Sequence, residues 1–316
     1  METQQEGNNN DQLIIQQHNN NIDIDIDINL NKKRSRYQQK YFKLCGKTRR
    51  LPDKEGIIGI AMSICFYLCG TTFYEIMCIS LIISNKHNNN FSTTEYYVVA
   101  IVGIITFIIT QLSYFDITTS IPGYQTSNRL TEDEYKRAPP VKVIQDKSFT
   151  LKYCSTCKIA RDVRTFHCRY CNMCIERHDH HCGYVSNCIG KDNMKKFFYF
   201  LCTAAVHCLL VEVVALYTLV RFYFNDNEGN KNDYQINVVL VMLLAIFVGF
   251  FVVMVVGMIV KHIFMFTRNE TTNEILRRKY NNKVFDKGMN DNCKEIFCNK
   301  ENDFDINEWK EYINKN

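Results

Sequence analysis

Four apolar blocks, at roughly 57–84, 95–117, 197–224 and 236–266, constrain this chain more than any other feature. Each is long enough to cross a hydrocarbon core of ~30 Å, which takes about 20 mostly apolar residues. A core helix of a soluble protein is usually shorter and shows a polar stripe. The blocks therefore read as four transmembrane helices. The mildly negative mean hydropathy of -0.21 comes from Asn-rich, charged ends that dilute the blocks.

Charge sets the expected orientation. Lys and Arg are dense between Lys32 and Lys54, whereas Asn85 to Thr94 holds only Lys86 and the run from Asn225 to Tyr234 is net negative. The segment between the second and third blocks and the tail after Phe266 are again basic. By the positive-inside rule both termini and the segment between helices 2 and 3 are cytosolic. The net charge of +5 is then a matter of orientation, and no nucleic-acid partner is needed to explain it. No basic start followed by an apolar stretch heads the chain, so the first block is expected to act as the targeting signal. Glu75 in that block should face the helix bundle, because a carboxylate in lipid is costly.

Residues 1–42 form an Asn-rich region expected to be disordered, its Ile-Asp alternation from Ile22 lacking a partner. Residues 43–118 would hold helices 1 and 2, and residues 119–150 a connector carrying Ile121-Pro122-Gly123-Tyr124. A Cys-rich unit fills 151–196, helices 3 and 4 fill 197–266, and a partly ordered tail fills 267–316. Thr271-Thr272-Asn273-Glu274 reads as a helix start at the membrane edge. No internal repeat is read from the chain.

The Cys-rich unit carries the chemistry. Residues 154–188 hold seven of the fifteen cysteines and four of the eight histidines. A cytosolic location disfavours disulfides, so a dense cysteine cluster there points to metal binding or catalysis. Cys65, Cys69, Cys78, Cys202 and Cys208 lie inside apolar blocks and read as packing residues. Cys154, Cys157, Cys168 and Cys171 form two Cys-x-x-Cys knuckles, and Cys174, Cys188, His167 and His181 supply enough donors for two closed tetrahedral zinc sites. Cys182 is left over. In extended backbone His180 and Cys182 share one side while His181 faces the other. An imidazole beside a thiol favours the nucleophilic thiolate, and Asp179 would orient that imidazole if the backbone turns between them. His178 reads as a surface histidine.

The run C-x2-C-x9-H-C-x2-C-x2-C-x4-D-H-H-C-x5-C-x4-N-x3-F from Cys154 to Phe197 resembles the Cys-rich domain of the DHHC protein S-acyltransferases, or palmitoyltransferases. Thr271 to Glu274 is similar to that family's T-T-x-E motif, and Phe285 and Asn292 to its C-terminal aromatic and asparagine. The resemblance spans roughly Lys43 to Cys298. It implies a four-helix membrane protein with a two-zinc domain between helices 2 and 3. It also pairs the ligands, with Cys154, Cys157, His167 and Cys174 on one zinc and Cys168, Cys171, His181 and Cys188 on the other. Cys182 becomes the acyl-accepting nucleophile, His180 the base and Asp179 its orienter; Asn193 takes a structural place, and Asn292 supports the active-site region. The implied activity is two-step transfer of a palmitoyl group from acyl-coenzyme A to Cys182, then to cysteines of membrane-associated proteins. The implied location is an endomembrane, Golgi or endoplasmic reticulum. Two departures stand out: Gly183-Tyr184 replaces the usual Pro-Trp, and Ile121-Pro122-Gly123 lacks the usual Asp.

A bilayer suits that chemistry. Drawing a palmitoyl chain into water costs on the order of 10 kcal/mol at about 0.8 kcal/mol per CH2. Helix 3, around His207, is expected to wall the chain. Arg161, Arg164, Arg169, Lys191, Lys195 and Lys196 are candidates to receive coenzyme A phosphates, or else lie near anionic lipid. A membrane-anchored zinc module that recruits a protein without catalysis is the alternative, but it leaves Cys182 and His180 idle. A zinc transporter would need more polar groups within the helices than Glu75, His207 and Glu212.

Overall fold

The computed structural model describes residues 93–224, 231–277 and 284–298, preceded by 22–23, 40–44, 47–51 and the single positions 57 and 61. Three helices among the described residues are long and apolar enough to span a membrane. They are α1 (Thr93–Thr119), α3 (Met194–Phe224) and α4 (Lys231–Arg268); the short α2 (Glu132–Arg137) lies in the connector. The expected first span falls almost wholly outside the described residues. Strands β1 (Ile22–Asp23), β2 (Lys40–Leu44) and β3 (Lys47–Leu51) form an antiparallel sheet, so Ile22–Asp23, inside the stretch expected to be disordered, have a partner in Lys43–Leu44 just beyond it.

Helix α3 packs against α1 on one side and α4 on the other. Lipid tails are as apolar as leucine, so apolar contact alone gives these helices little reason to associate, and a polar seam adds to it. Thr106 Oγ1 lies 2.9 Å from His207 Nδ1. Thr110 Oγ1 donates to the Thr203 carbonyl at 3.2 Å, and Ser113 Oγ meets Thr203 Oγ1 at 2.8 Å. His207 therefore faces α1. Ile101, Ile105, Ile108 and Leu112 are exposed on α1.

The Cys-rich unit is built from three hairpins with one register. They pair β6 (Lys152–Cys154) with β7 (Ile159–Arg161), β8 (Phe166–Cys168) with β9 (Met173–Ile175), and β10 (His180–Cys182) with β11 (Asn187–Ile189). Strands β4 (Val141–Ile144) and β5 (Lys147–Thr150) precede them as a separate hairpin. Cys154 pairs with Ile159, Cys168 with Met173 and Cys182 with Asn187, always across a four-residue turn. The last turn residue is left-handed each time: Lys158, Asn172 and Ser186. The chain thus carries an internal repeat of 14 residues, read off at Cys154, Cys168 and Cys182. The sequence reading missed it because the third copy has Val185 where the others have Cys157 and Cys171.

Two contacts seat this unit on the helices. The connector turn at Gly123, φ +92, lets the chain bond along β9, with Glu176 donating its N–H to the Gly123 carbonyl at 2.8 Å. At Gly190 a Cβ would stand 2.4 Å from the Pro122 carbonyl oxygen, so only glycine fits that crossing. A buried cluster then joins Tyr114 and Ile117 of α1, Val185 and Ile189 of the third hairpin, Phe197 and Phe200 of α3, and Phe266 of α4. Cys182 packs against it, so the odd cysteine sits where the hairpins meet the membrane helices.

Candidate active site

The repeat explains how two metal quartets arise from one pattern. The knuckle of each hairpin is completed by the His and the last Cys of the next. Cys154 and Cys157 meet His167 and Cys174; Cys168 and Cys171 meet His181 and Cys188. In each set the donor atoms lie within 4.8 Å of one another. Metal–sulfur arms of about 2.3 Å imply tetrahedron edges of roughly 3.7 Å. The observed separations agree: 3.6, 3.4 and 3.9 Å from His167 Nδ1 to its three sulfurs, and 3.7, 3.5 and 3.5 Å from His181 Nδ1 to its own. Thiolates so crowded repel one another unless a cation lies among them, so the donor sets fit a metal ion.

The third hairpin has no successor. Its Cys182 occupies the knuckle position of Cys154 and Cys168, but Val185 replaces the second thiol and no fourth hairpin closes the set. Cys182 consequently belongs to neither quartet. Its partner is His180, two residues back on the same strand face. Nδ1 of His180 lies 2.6 Å from Asp179 Oδ2, which directs the other ring nitrogen toward the thiol. Burial works against charge here, yet Asp179 and Cys182 hold the His180 imidazolium, pushing its pKa up to about 9. Against the same burial, His180 and the backbone N–H groups after the thiol draw Cys182 below the ordinary thiol value. The pair is set toward imidazolium and thiolate.

Asp179 is 1% exposed and fixed from the far side. It accepts from the Thr272 backbone N–H at 2.6 Å and from Thr272 Oγ1 at 2.9 Å. Burial opposes its ionisation, but His180 and the Thr272 N–H hold it below the usual carboxylate range. Thr272 opens α5 (Thr272–Arg277), whose first turn closes as a capping box between Thr271 and Glu274. Glu274 in turn grips Arg164 at 2.6 and 2.8 Å, both side chains no more than 8% exposed. The Thr-Thr-Asn-Glu run thus clamps two hairpins at once.

Asn269, Asn187 and Arg50 had no sequence signal strong enough to find, whereas Asn193, Asn292 and Phe285 were singled out by the family resemblance. Asn269, left-handed at the end of α4, accepts from Arg164 at 2.9 Å and Arg177 at 2.7 Å. Asn187 donates to the Ile117 and Ser120 carbonyls at 3.1 and 2.9 Å, satisfying the open end of α1. Arg50, counted above only as a basic residue, donates to the Ser186 carbonyl within the third turn. Asn193 is buried and bridges the Gly190 N–H, the Cys188 carbonyl and Ser120. Asn292, on α6 (Met289–Phe297), donates to the Thr267 carbonyl at 2.8 Å and so braces the end of α4. Phe285 lies under the Arg164 guanidinium, 4.3 Å from ring centre to carbon.

Two expectations need correction. Arg164 is spent on Glu274 and Asn269, and Lys191 pairs with Glu176 at 2.8 Å, which weakens both as phosphate ligands. His178 is not a surface residue; it is buried beside the second quartet, 3.7 Å from Cys188 Sγ. The Gly183 backbone is not left-handed, and a Cβ there would meet nothing within 4 Å. Tyr184 meets Tyr114 edge-on at 5.5 Å and stacks on Phe200 at 6.2 Å, which keeps an aromatic face at the membrane edge.

Residues 147–279 match a family model described as DHHC palmitoyltransferase. This stretch is a DHHC domain. Among curated proteins the chain is similar to Palmitoyltransferase ZDHHC8 of Mus musculus, 34% identical over 178 residues, covering 54% of this chain and 22% of that protein. It is likewise similar to Palmitoyltransferase ZDHHC5-B of Danio rerio, 30% identical over 206 residues, covering 63% of this chain and 30% of that one. The chain thus spans less than a third of the length of these relatives. The DHHC domain carries both quartets, Asp179, His180 and Cys182, and the Thr-Thr-Asn-Glu clamp.

Proposed function

We propose that this chain is a protein S-acyltransferase whose nucleophile is Cys182, and that its two quartets hold structural zinc. The observation that carries the reading is a thiol outside both metal sets, beside an imidazole held 2.6 Å from a buried carboxylate. The family match and the named palmitoyltransferase relatives support it. Soft thiolate with imidazole in a four-donor set favours zinc, which fixes loop-rich hairpins that have little core of their own.

In the first step the Cys182 sulfur attacks the acyl-coenzyme A carbonyl, the bond to the coenzyme sulfur breaks, and His180 gives its proton to the departing thiolate. In the second, a cysteine of a membrane-associated protein loses its proton to His180 and takes the acyl group, restoring Cys182. One thioester replaces another, so the equilibrium is nearly balanced and the barrier is what the site lowers. Asp179 keeps His180 oriented throughout. The acyl chain lies among the helices, with α3 around His207 as a wall, while coenzyme A stays in water. Both termini and the Cys-rich unit face the cytosol on the Lys/Arg asymmetry, and the compartment is an endomembrane, Golgi or endoplasmic reticulum, as the family resemblance implies.

Purified protein in detergent, incubated with labelled palmitoyl-coenzyme A, should gain a hydroxylamine-labile label on Cys182. A chain that binds zinc but takes no label would fit a non-catalytic recruiting module instead. Tags at both termini should be protease-accessible in sealed membranes, and protection of the N-terminus would overturn the orientation.

A further inference from the structure

His178 is the one histidine of the Cys-rich unit without a role so far. It is 8% exposed. Its Nε2 lies 3.7 Å from Cys188 Sγ, and its Nδ1 lies 3.0 Å from Asn273 Nδ2. Its backbone N–H donates to the Arg164 carbonyl at 3.1 Å, which pins the residue at the base of β10. With the Asn273 amide nitrogen facing it, Nδ1 accepts, and the proposal takes the tautomer with the ring proton on Nε2. That N–H points at Cys188, a member of the second quartet.

We propose that His178 donates an N–H···S hydrogen bond to the metal-bound Cys188 thiolate. It is a positioning residue that ties the second metal site to the Thr-Thr-Asn-Glu turn. A donor on a thiolate ligand withdraws charge and fixes its direction, and partners of this kind commonly change metal affinity 10- to 100-fold. Ligation by His178 itself is disfavoured, because Nε2 carries the proton and the quartet already has four donors in tetrahedral reach. The placement has a consequence for the site. Asn273 stands between Thr272, which holds Asp179, and Glu274, which holds Arg164. The His178–Asn273 contact therefore couples the metal-site geometry to the carboxylate that orients His180. The repeat makes the point independently: the residue 14 positions earlier, Arg164, reaches the same turn through Glu274.

The inference rests on the quartets holding metal, and the test keeps the two apart. Full-length protein in detergent is assayed for zinc per chain by mass spectrometry and for zinc transfer to a chromophoric chelator. His178→Phe keeps ring volume and removes both hydrogen bonds, His178→Gln keeps one acceptor and one donor, and Asn273→Ala removes only the outer partner. All three variants should retain two ions, but one ion should leave about 10-fold faster from His178→Phe. His178→Gln should restore slow release, and Asn273→Ala should fall between. In cobalt-substituted protein the thiolate-to-metal band should move to longer wavelength in His178→Phe. Unchanged release and an unmoved band would overturn the hydrogen bond. One ion per chain in His178→Phe, with Asn273→Ala unaffected, would make His178 a ligand and overturn the proposal from the other side. Fewer than two ions in the unmutated chain would remove the metal reading and this inference with it. Should His178→Phe fail to fold, the Asn273→Ala and His178→Gln release rates still decide.

Discussion

The first two hairpins and the third share one backbone and differ in what their knuckles do. Cys154 with Cys157, and Cys168 with Cys171, are consumed by quartets that the following hairpin completes. Cys182 stands at the same position on the same turn, but Val185 replaces its partner and α3 follows where another hairpin would stand. That position, left without a metal, holds a thiol on a rigid strand close to the membrane helices. On the proposed function Cys182 is an orphaned ligand, and its environment, Asp179 and His180, takes over the task of stabilising its thiolate.

The largest effect should come from asking which cysteines are ligands. Cys182→Ser should keep about two zinc ions per chain and abolish thioester labelling, because it stands outside both closed sets. Cys168→Ser should lose an ion and, as the third hairpin loosens, the labelling too. Metal content and labelling on the same preparations check both. Loss of an ion on Cys182→Ser would erase the distinction between the hairpins. Next in size is the clamp. Arg164→Leu leaves Glu274 buried without its partner, which should cost about 3–5 kcal/mol; the thermal transition of the detergent-solubilised protein reads it.

The carboxylate comes next. Asp179→Asn keeps the shape but removes the charge that supports the His180 imidazolium, so labelling should slow by roughly 100-fold, the low end for positioned acid–base groups. The sign of the accompanying pH effect follows from the pair. With Asp179 present, His180 stays charged up to about pH 9 and the Cys182 thiolate forms below the ordinary thiol value. Without that charge His180 loses its proton at lower pH, and the thiol loses its nearest cation. The pH midpoint of iodoacetamide alkylation at Cys182 should therefore rise. A midpoint that stays put would deny Asp179 its electrostatic role.

Much of the site could be read from the chain, because its information is local. Knuckle spacing, the His180–Cys182 alternation and the spare thiol all lie within a few residues of one another. The repeat was harder to see: His181 and Cys188 fit it, but Val185 broke the Cys-x-x-Cys signature in the third copy. What escaped altogether depends on distant contacts. Asn269 and Glu274 lie about a hundred residues from Arg164, and nothing around Asn269 marks it as the acceptor for two arginines. His178 read as exposed because charged residues surround it in sequence, while its burial comes from Asn273 and Phe166. The expected first span lies almost wholly outside the described residues, so the helix count rests on α1, α3 and α4.

A smaller test converts the third hairpin back toward the other two. Val185→Cys restores the knuckle, so Cys182 and the new thiol could share a zinc ion, though with no following hairpin to supply two further ligands. Labelling should fall by about 10-fold in added zinc and recover on mild chelation, since an incomplete set binds far more weakly than a closed one. Zinc-independent labelling would mean that the third turn no longer presents both side chains to one point.

The smallest effect belongs to the turn itself. Gly183 is the first residue after Cys182, is not left-handed, and offers open space where a Cβ would go. Glycine there gives the unfolded chain freedom that the fold does not use. Gly183→Ala should thus stabilise the protein by about 0.4–1 kcal/mol through the unfolded state, with metal content and labelling unchanged. The same change has no counterpart in the metal-bearing hairpins, which carry Ser155 and Arg169 at that position. If Gly183→Ala slowed labelling without altering stability, the turn would have to move during acyl transfer. The third hairpin would then differ from its neighbours in dynamics as well as in ligands.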